Sequence, residues 1–157
     1  MNYPLKTLNQ LRAEYAYKCV EQVKNTNAAS RYKSLAKKLP QMITYNGLLT
    51  TLAFLKSKAK YKQEKGKIEV NGDFFILAHL TLWLKRKSPF TQVEECDEKK
   101  INNEKDLKKF ETEINKFLEE VYKKWAASTL FLKTSEALAI AQWLKRIAEG
   151  ELEDDSQ

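Results

Sequence analysis

Residues 74–84, FFILAHLTLWL, constrain this 157-residue chain more than any other stretch. A surface helix carries its apolar residues in one stripe, whereas this segment is apolar on nearly every side. That is the pattern of a helix enclosed by other elements. It falls well short of the ~20 residues of a membrane span, so its cover must be protein. A buried strand is the competing reading of so short a run. Capped by Asp73, the helix extends for about 14 residues and closes at Lys85-Arg86-Lys87 and Ser88-Pro89.

A central rod needs several partners, and the flanking sequence supplies helices. Four Gly and three Pro are too few for a turn-rich sandwich or barrel. After Pro4, the residues Leu8, Leu11, Tyr15, Cys19 and Val23 recur at three- and four-residue steps. They predict a helix from about residue 4 to 25, ended by Asn25-Thr26-Asn27. Ser30 caps a short helix to Lys38, and Pro40 starts another that continues to about Tyr61. Asn46-Gly47 is either a break between two helices or a tolerated small-residue contact. Leu48, Leu49, Leu52, Phe54 and Leu55 read mostly as core, with Gly47 at a close helix crossing and Asn46 capping or bridging.

Residues 62–72 (KQEKGKIEVNG) read as a polar loop, and 88–103 as an exposed one. The clearest stripe is Leu107, Phe110, Ile114, Phe117, Val121 and Trp125, with Glu119–Lys123 and Glu120–Lys124 as supporting pairs. Thr134 caps a last helix that Gly150 terminates. The expected fold class is all-α: a single-domain bundle of about six helices over residues 1–150, with a disordered acidic tail at 151–157. MNYPLKTLNQ is not a secretory signal and two cysteines cannot form a disulfide framework, which leads to the expectation of a cytoplasmic protein with no membrane partner.

Catalytic chemistry has little to work with. His79 lies inside the most apolar helix with no proton-transfer or metal partner at helical spacing, and reads as a satisfied core histidine. Cys19 sits on the inner stripe of the first helix and Cys96 in the acidic stretch EECDE, where negative neighbours disfavour a thiolate. Neither has zinc-ligand spacing, and no EF-hand, phosphate loop, GxSxG or HExxH pattern occurs. The reading is not an enzyme, with no metal and no cofactor.

The charge distribution is more informative. Residues 1–60 hold 11 Lys and Arg against only Glu14 and Glu21, whereas residues 101–157 hold nine against 12 acids. Five of those acids (Glu149, Glu151, Glu153, Asp154, Asp155) lie in the last nine residues. A cationic body points to a polyanion, RNA or DNA before an anionic membrane; lysines that only keep a bundle dispersed are the bland alternative. Cations cluster at predicted helix ends, where they also complement the macrodipole. Without a base-reading motif such clusters grip phosphates and sugars.

Three stretches resemble one family: QLRAEYAYKCV (10–20), KKLPQMITYNGLLTTLAFLKSK (37–58) and TSEALAIAQWLKRIAEG (134–150). They are similar to the small, all-helical subunit of the type III-B CRISPR RNA-silencing complex, the Cmr effector. The middle stretch is the most specific, through Leu39-Pro40, Asn46-Gly47-Leu48, Thr51-Leu52-Ala53-Phe54 and Ser57-Lys58, and Trp143-Leu144-Lys145-Arg146 adds to it. The resemblance implies a non-catalytic protein of antiviral defence whose copies stack beside the groove holding guide RNA and target RNA, while a different subunit cleaves. Its partners would be those RNAs, the other subunits of the complex, and copies of itself. The chain departs from the pattern in a less basic run before the last helix and in Ile147, where Phe is expected.

On this reading RNA is contacted by Lys38, Lys56, Lys58, Lys145 and Arg146, with Arg12 and Lys18 as second choices. The charge gradient suggests head-to-tail stacking, the acidic 101–157 half of one copy meeting the basic 1–60 half of the next. Alternatives are a protein–protein adaptor without RNA contact, the small subunit of the related type III-A complex, and a nuclease built on His79.

Overall fold

The computed structural model describes residues 5–88, 90–92 and 96–154. Pro4, Pro89 and Asp155, named above, lie outside the described residues. The chain is all-α, with one short hairpin inserted between its helices.

Helix α1 spans Leu8–Val23. Its start is set by Thr7 and Gln10 in a reciprocal capping box, the Gln10 amide donating to Thr7 Oγ1 (3.1 Å) and the Thr7 amide to Gln10 Oε1 (2.8 Å). The predicted stripe points inward, with Tyr15, Cys19 and Val23 buried. The helix ends at Asn25, whose φ of 70° turns the chain away.

Helix α2, Ala29–Lys58, differs from the expected pair of helices divided at Lys38 and Pro40. Pro40 lies within it, although an interior proline removes a hydrogen bond and costs about 3 kcal/mol. Ala36, Leu39, Pro40 and Ile43 are all buried on one face of α2, and that packing outweighs the local penalty. The break falls instead at Gly47, with φ 83° and ψ 164°, a region open essentially to glycine alone. A straight helix would hold Arg31 and Lys58 about 40 Å apart. Both nevertheless meet residues 71–73: Arg31 pairs with Asp73, and Asn71 Nδ2 donates to the Lys58 carbonyl (2.8 Å). The second arm of α2 therefore folds back on the first.

Gly47 is needed for that turn, not for a crossing: a Cβ placed there touches nothing within 4 Å. The crossing glycine is Gly72, where a Cβ would lie 2.6 Å from the Tyr32 backbone nitrogen. Leu48, Leu52 and Leu55 are core as expected, but Phe54 is exposed.

The polar loop expected at 62–72 is largely a β-hairpin, β1 (Tyr61–Glu64) against β2 (Lys67–Val70), with Tyr61 opposite Val70. Lys65 and Gly66 form its two-residue turn with φ of 51° and 78°, both positive as a tight hairpin of matching twist demands.

Helix α3, Gly72–Leu84, is the enclosed rod read from the sequence: every one of its 13 residues is buried. Its cap is Asn71, whose Oδ1 accepts from the Phe74 amide (2.9 Å), and not Asp73, which is committed to Arg31. A single turn, α4 (Glu98–Ile101), interrupts the predicted loop, and next to it Cys96 is buried. Helix α5, Glu104–Lys123, capped by Asn103, lays its predicted stripe on the bundle, with Phe110 edge-on to Phe74 at 6.2 Å.

Helix α6, Ala127–Glu151, starts well before the expected Thr134, whose hydroxyl instead donates back to the Leu130 carbonyl (2.7 Å). It lies parallel to α1, since Arg12 meets Glu136 and Lys24 meets Glu151, and antiparallel to the first arm of α2, since Lys33 meets Leu152. Leu152 and Asp154, in the stretch expected as an acidic tail, lie against α2. Leu152 is buried, Lys33 Nζ donates to its carbonyl (2.8 Å), and Asp154 pairs with the same ammonium at 3.0 Å. An apolar side chain and a buried lysine hold down what composition alone marks as solvated.

Candidate nucleic-acid interface

His79 is locked into the core. Its Nδ1 accepts from the Tyr32 hydroxyl (2.8 Å) and its Nε2–H donates to Gln22 Oε1 (2.7 Å), while Gln22 Nε2 passes the chain on to the Cys96 carbonyl. Phe75 stacks on the ring, and the Tyr15 hydroxyl donates to the His79 carbonyl. Burial pushes the imidazole pKa down to about 3, so the ring is neutral. Burial likewise drives the Cys96 thiol up to about 11, ahead of the smaller contribution from Asp97 that the sequence suggested. Among the described residues, no group of three or more His, Cys, Asp and Glu converges as a cation would require, and no helix is long and apolar enough to cross a membrane.

The predicted cations fall into distinct settings. Arg12 is engaged by a carboxylate: Nε and a terminal nitrogen grip Glu136 at 2.9 and 2.6 Å, with both side chains 17% exposed. Trp83 Nε1 donates to the same carboxylate (3.0 Å). Burial pushes the Glu136 carboxyl up, but these hydrogen bonds outweigh it and leave its pKa below the ordinary value. Arg12 thus ties α1 to α6, and its guanidinium is not presented to a ligand. Lys18 is half-exposed and lies 3.7 Å from Glu14. Arg86, within the Lys85-Arg86-Lys87 cluster, folds inward over the Trp83 ring at 3.5 Å.

Lys38, Lys58 and Arg146 are exposed, and Lys56 and Lys145 half-exposed. Lys56 borders a small cleft with Tyr61, Phe74 and Ile114, beneath α5. Arg146 leans toward Glu149 at 3.8 Å. With Lys33 fixed at Leu152 and the helices antiparallel, a rise of 1.5 Å per residue sets Lys37 and Lys38 level with Ala148 and Ile147, within about 5 Å of Lys145 and Arg146 along the bundle axis. The fold-back of α2 brings Lys58 to the end that carries Arg31.

Sequence reading undervalued Lys33 and Lys37. Ser30, Lys33, Ser34, Lys37 and Lys38 follow helical spacing and border one cleft at the start of α2. The expected break before Pro40 and the assumption of a free tail concealed that shared face.

The family model described as CRISPR-associated protein (Cas_Cmr5) matches residues 8–151. The chain belongs to the Cmr5 family. Its fold is similar to the X-ray crystal structure of a CRISPR-associated Cmr5 family protein from Thermus thermophilus, with a TM-score of 0.63 over 95% of this chain and 100% of that one, at 20% identity. The Cmr5 match spans the capped start of α1, the hairpin and the whole of α6, including residues 62–133, where no motif guided the sequence reading. As a Cmr5-family protein, the chain is a small subunit of a Cmr-type (type III-B) CRISPR effector complex, and its partners include the other subunits.

Proposed function

We propose that this Cmr5-family subunit binds guide RNA and target RNA by sequence-independent contacts to phosphate and 2′-hydroxyl groups, and performs no catalysis itself. It acts within a cytoplasmic ribonucleoprotein of antiviral defence. The observation that carries the reading is the row of Lys33, Lys37 and Lys38 along one cleft of α2, where Lys37 and Lys38 have no ion pair of their own among the described residues. A subunit that must accept any guide can rely on cations and hydroxyls but not on base edges. His79 is buried and neutral, which supports a non-catalytic role.

Copies of the subunit stack head to tail, the exposed Glu119 and Glu120 of α5 facing the cationic α2 of the next copy. Residues 151–154 are docked on their own chain, so α5 carries this complementarity.

Filter binding of labelled RNA at two salt concentrations tests the main claim. Salt-sensitive retention is expected. Lys38→Ala, Lys58→Ala and Lys145→Ala should each weaken it equally for unrelated sequences, flattening the salt slope by about one unit. Salt-independent behaviour would mark a protein–protein adaptor, and loss of affinity for one sequence alone would contradict the phosphate model.

A further inference from the structure

We infer that the cleft at the start of α2 is a phosphodiester-binding site that the chain's own Asp154 side-chain carboxylate, just beyond α6, occupies until RNA displaces it. The inference rests on the RNA-binding reading above and adds a particular site and an internal competitor. The cleft, of roughly 740 Å³, is bordered by Ser30, Lys33, Ser34, Lys37, Lys38 and Asp154. Arg31 also borders it, but its guanidinium is committed to Asp73. Among the described residues that line it, beside the committed Arg31, three lysines share the cleft with one carboxylate.

The two partners of the seated ion pair differ in a way that makes exchange feasible. The Lys33 side chain is only 10% exposed and is held by the Leu152 carbonyl, so its ammonium remains aimed at the cleft whatever sits there. The Asp154 side chain is 61% exposed and extends beyond the end of α6. The carboxylate end of the pair stands in solvent, where screening weakens it, and the Leu152 carbonyl still holds the ammonium, so the carboxylate leaves at small cost. A phosphate brings the same charge and more acceptor oxygens, which the Lys37 and Lys38 ammoniums and the Ser30 and Ser34 hydroxyls are suited to meet. Among the described residues no aromatic side chain borders the cleft to offer a platform on which to stack a base.

Full-length protein and a short, mixed-sequence, single-stranded RNA provide the test at low salt. Asp154→Asn removes the competitor and should tighten binding about two- to fivefold, the factor an exposed ion pair supports. The same change in a Lys37→Ala/Lys38→Ala background should give no gain. Glu64→Gln, an exposed acid on the hairpin, controls for net charge and should leave affinity within experimental error. Unchanged or weaker binding by Asp154→Asn, an equal gain from Glu64→Gln, or a gain that survives loss of Lys37 and Lys38 would overturn the inference while leaving the RNA-binding reading intact. Failure of the wild-type protein to retain RNA would overturn both.

Discussion

Between pH 7 and pH 5 the one histidine of this sequence, through its unfolded state, dominates the pH dependence of stability. Folded, His79 sits near pH 3 through burial; unfolded, it returns to the ordinary 6.5. The folded pKa is lowered and the group gains positive charge on protonation, so the unfolded state binds the extra proton. Stability is then complete above pH 6.5 and falls as pH drops toward 3. Integrating over the window gives a loss of about 2 kcal/mol between pH 7 and pH 5. Any folded value below pH 4.5 leaves that figure almost unchanged. For a chain of this size the corresponding fall in melting temperature is about 4–8 °C. The lowered carboxyls Glu14, Glu136 and Asp154 contribute only at lower pH, since each is already ionised above the ordinary carboxylate range. Urea unfolding at the two pH values, with wild type and His79→Gln, measures the effect. The variant is less stable at pH 7 but should lack the slope. A wild-type change under about 0.5 kcal/mol, or the same slope in both proteins, would refute the assignment of a neutral, fully partnered imidazole.

Three further outcomes follow from the packing. Glu136→Ala strands the Arg12 guanidinium and the Trp83 indole N–H together and should cost about 2–3 kcal/mol in chemical denaturation, with strong non-additivity in a cycle with Arg12→Ala. Gly72→Ala should cost about 1–3 kcal/mol by forcing α3 off the Tyr32 backbone, whereas Gly47→Ala should cost a similar amount with no clash, from its φ of 83° alone; calorimetry of each compared with a Ser substitution at the same site checks both. With its pKa near 11, Cys96 should resist alkylation at pH 8 in the folded protein and react rapidly only in denaturant, as thiol titration would show.

The architecture was most legible where one residue set served one purpose. FFILAHLTLWL has no polar side to offer water, so an enclosed element follows from composition, with a helix preferred over a buried strand, and the 3- and 4-residue steps of α5 permit little but a helix. Legibility failed where distant residues decide. Pro40 signals a helix start by its covalent geometry, and only the burial of Leu39 and Ile43 shows why a helix passes through it. The hairpin was obscured because Lys65 stands where Asn or Asp would announce a tight turn. At the candidate interface, exposure of Lys38, Lys58 and Arg146 could be read from their place among polar neighbours, but the capture of Arg12 could not. Glu136 lies 124 positions away in sequence, and no local pattern links the two.

The enclosure of α3 governs how the molecule can be made. Its rings and methyls are covered partly by α5 and α6, which the ribosome delivers after it: Phe110 meets Phe74, and Glu136 meets Trp83. At translation speeds of about 5–20 residues per second, several seconds separate the emergence of Leu84 from that of the final helix. During that interval the greasiest segment of the polypeptide lacks its lid, so the nascent chain should be a holdase client until α6 has emerged.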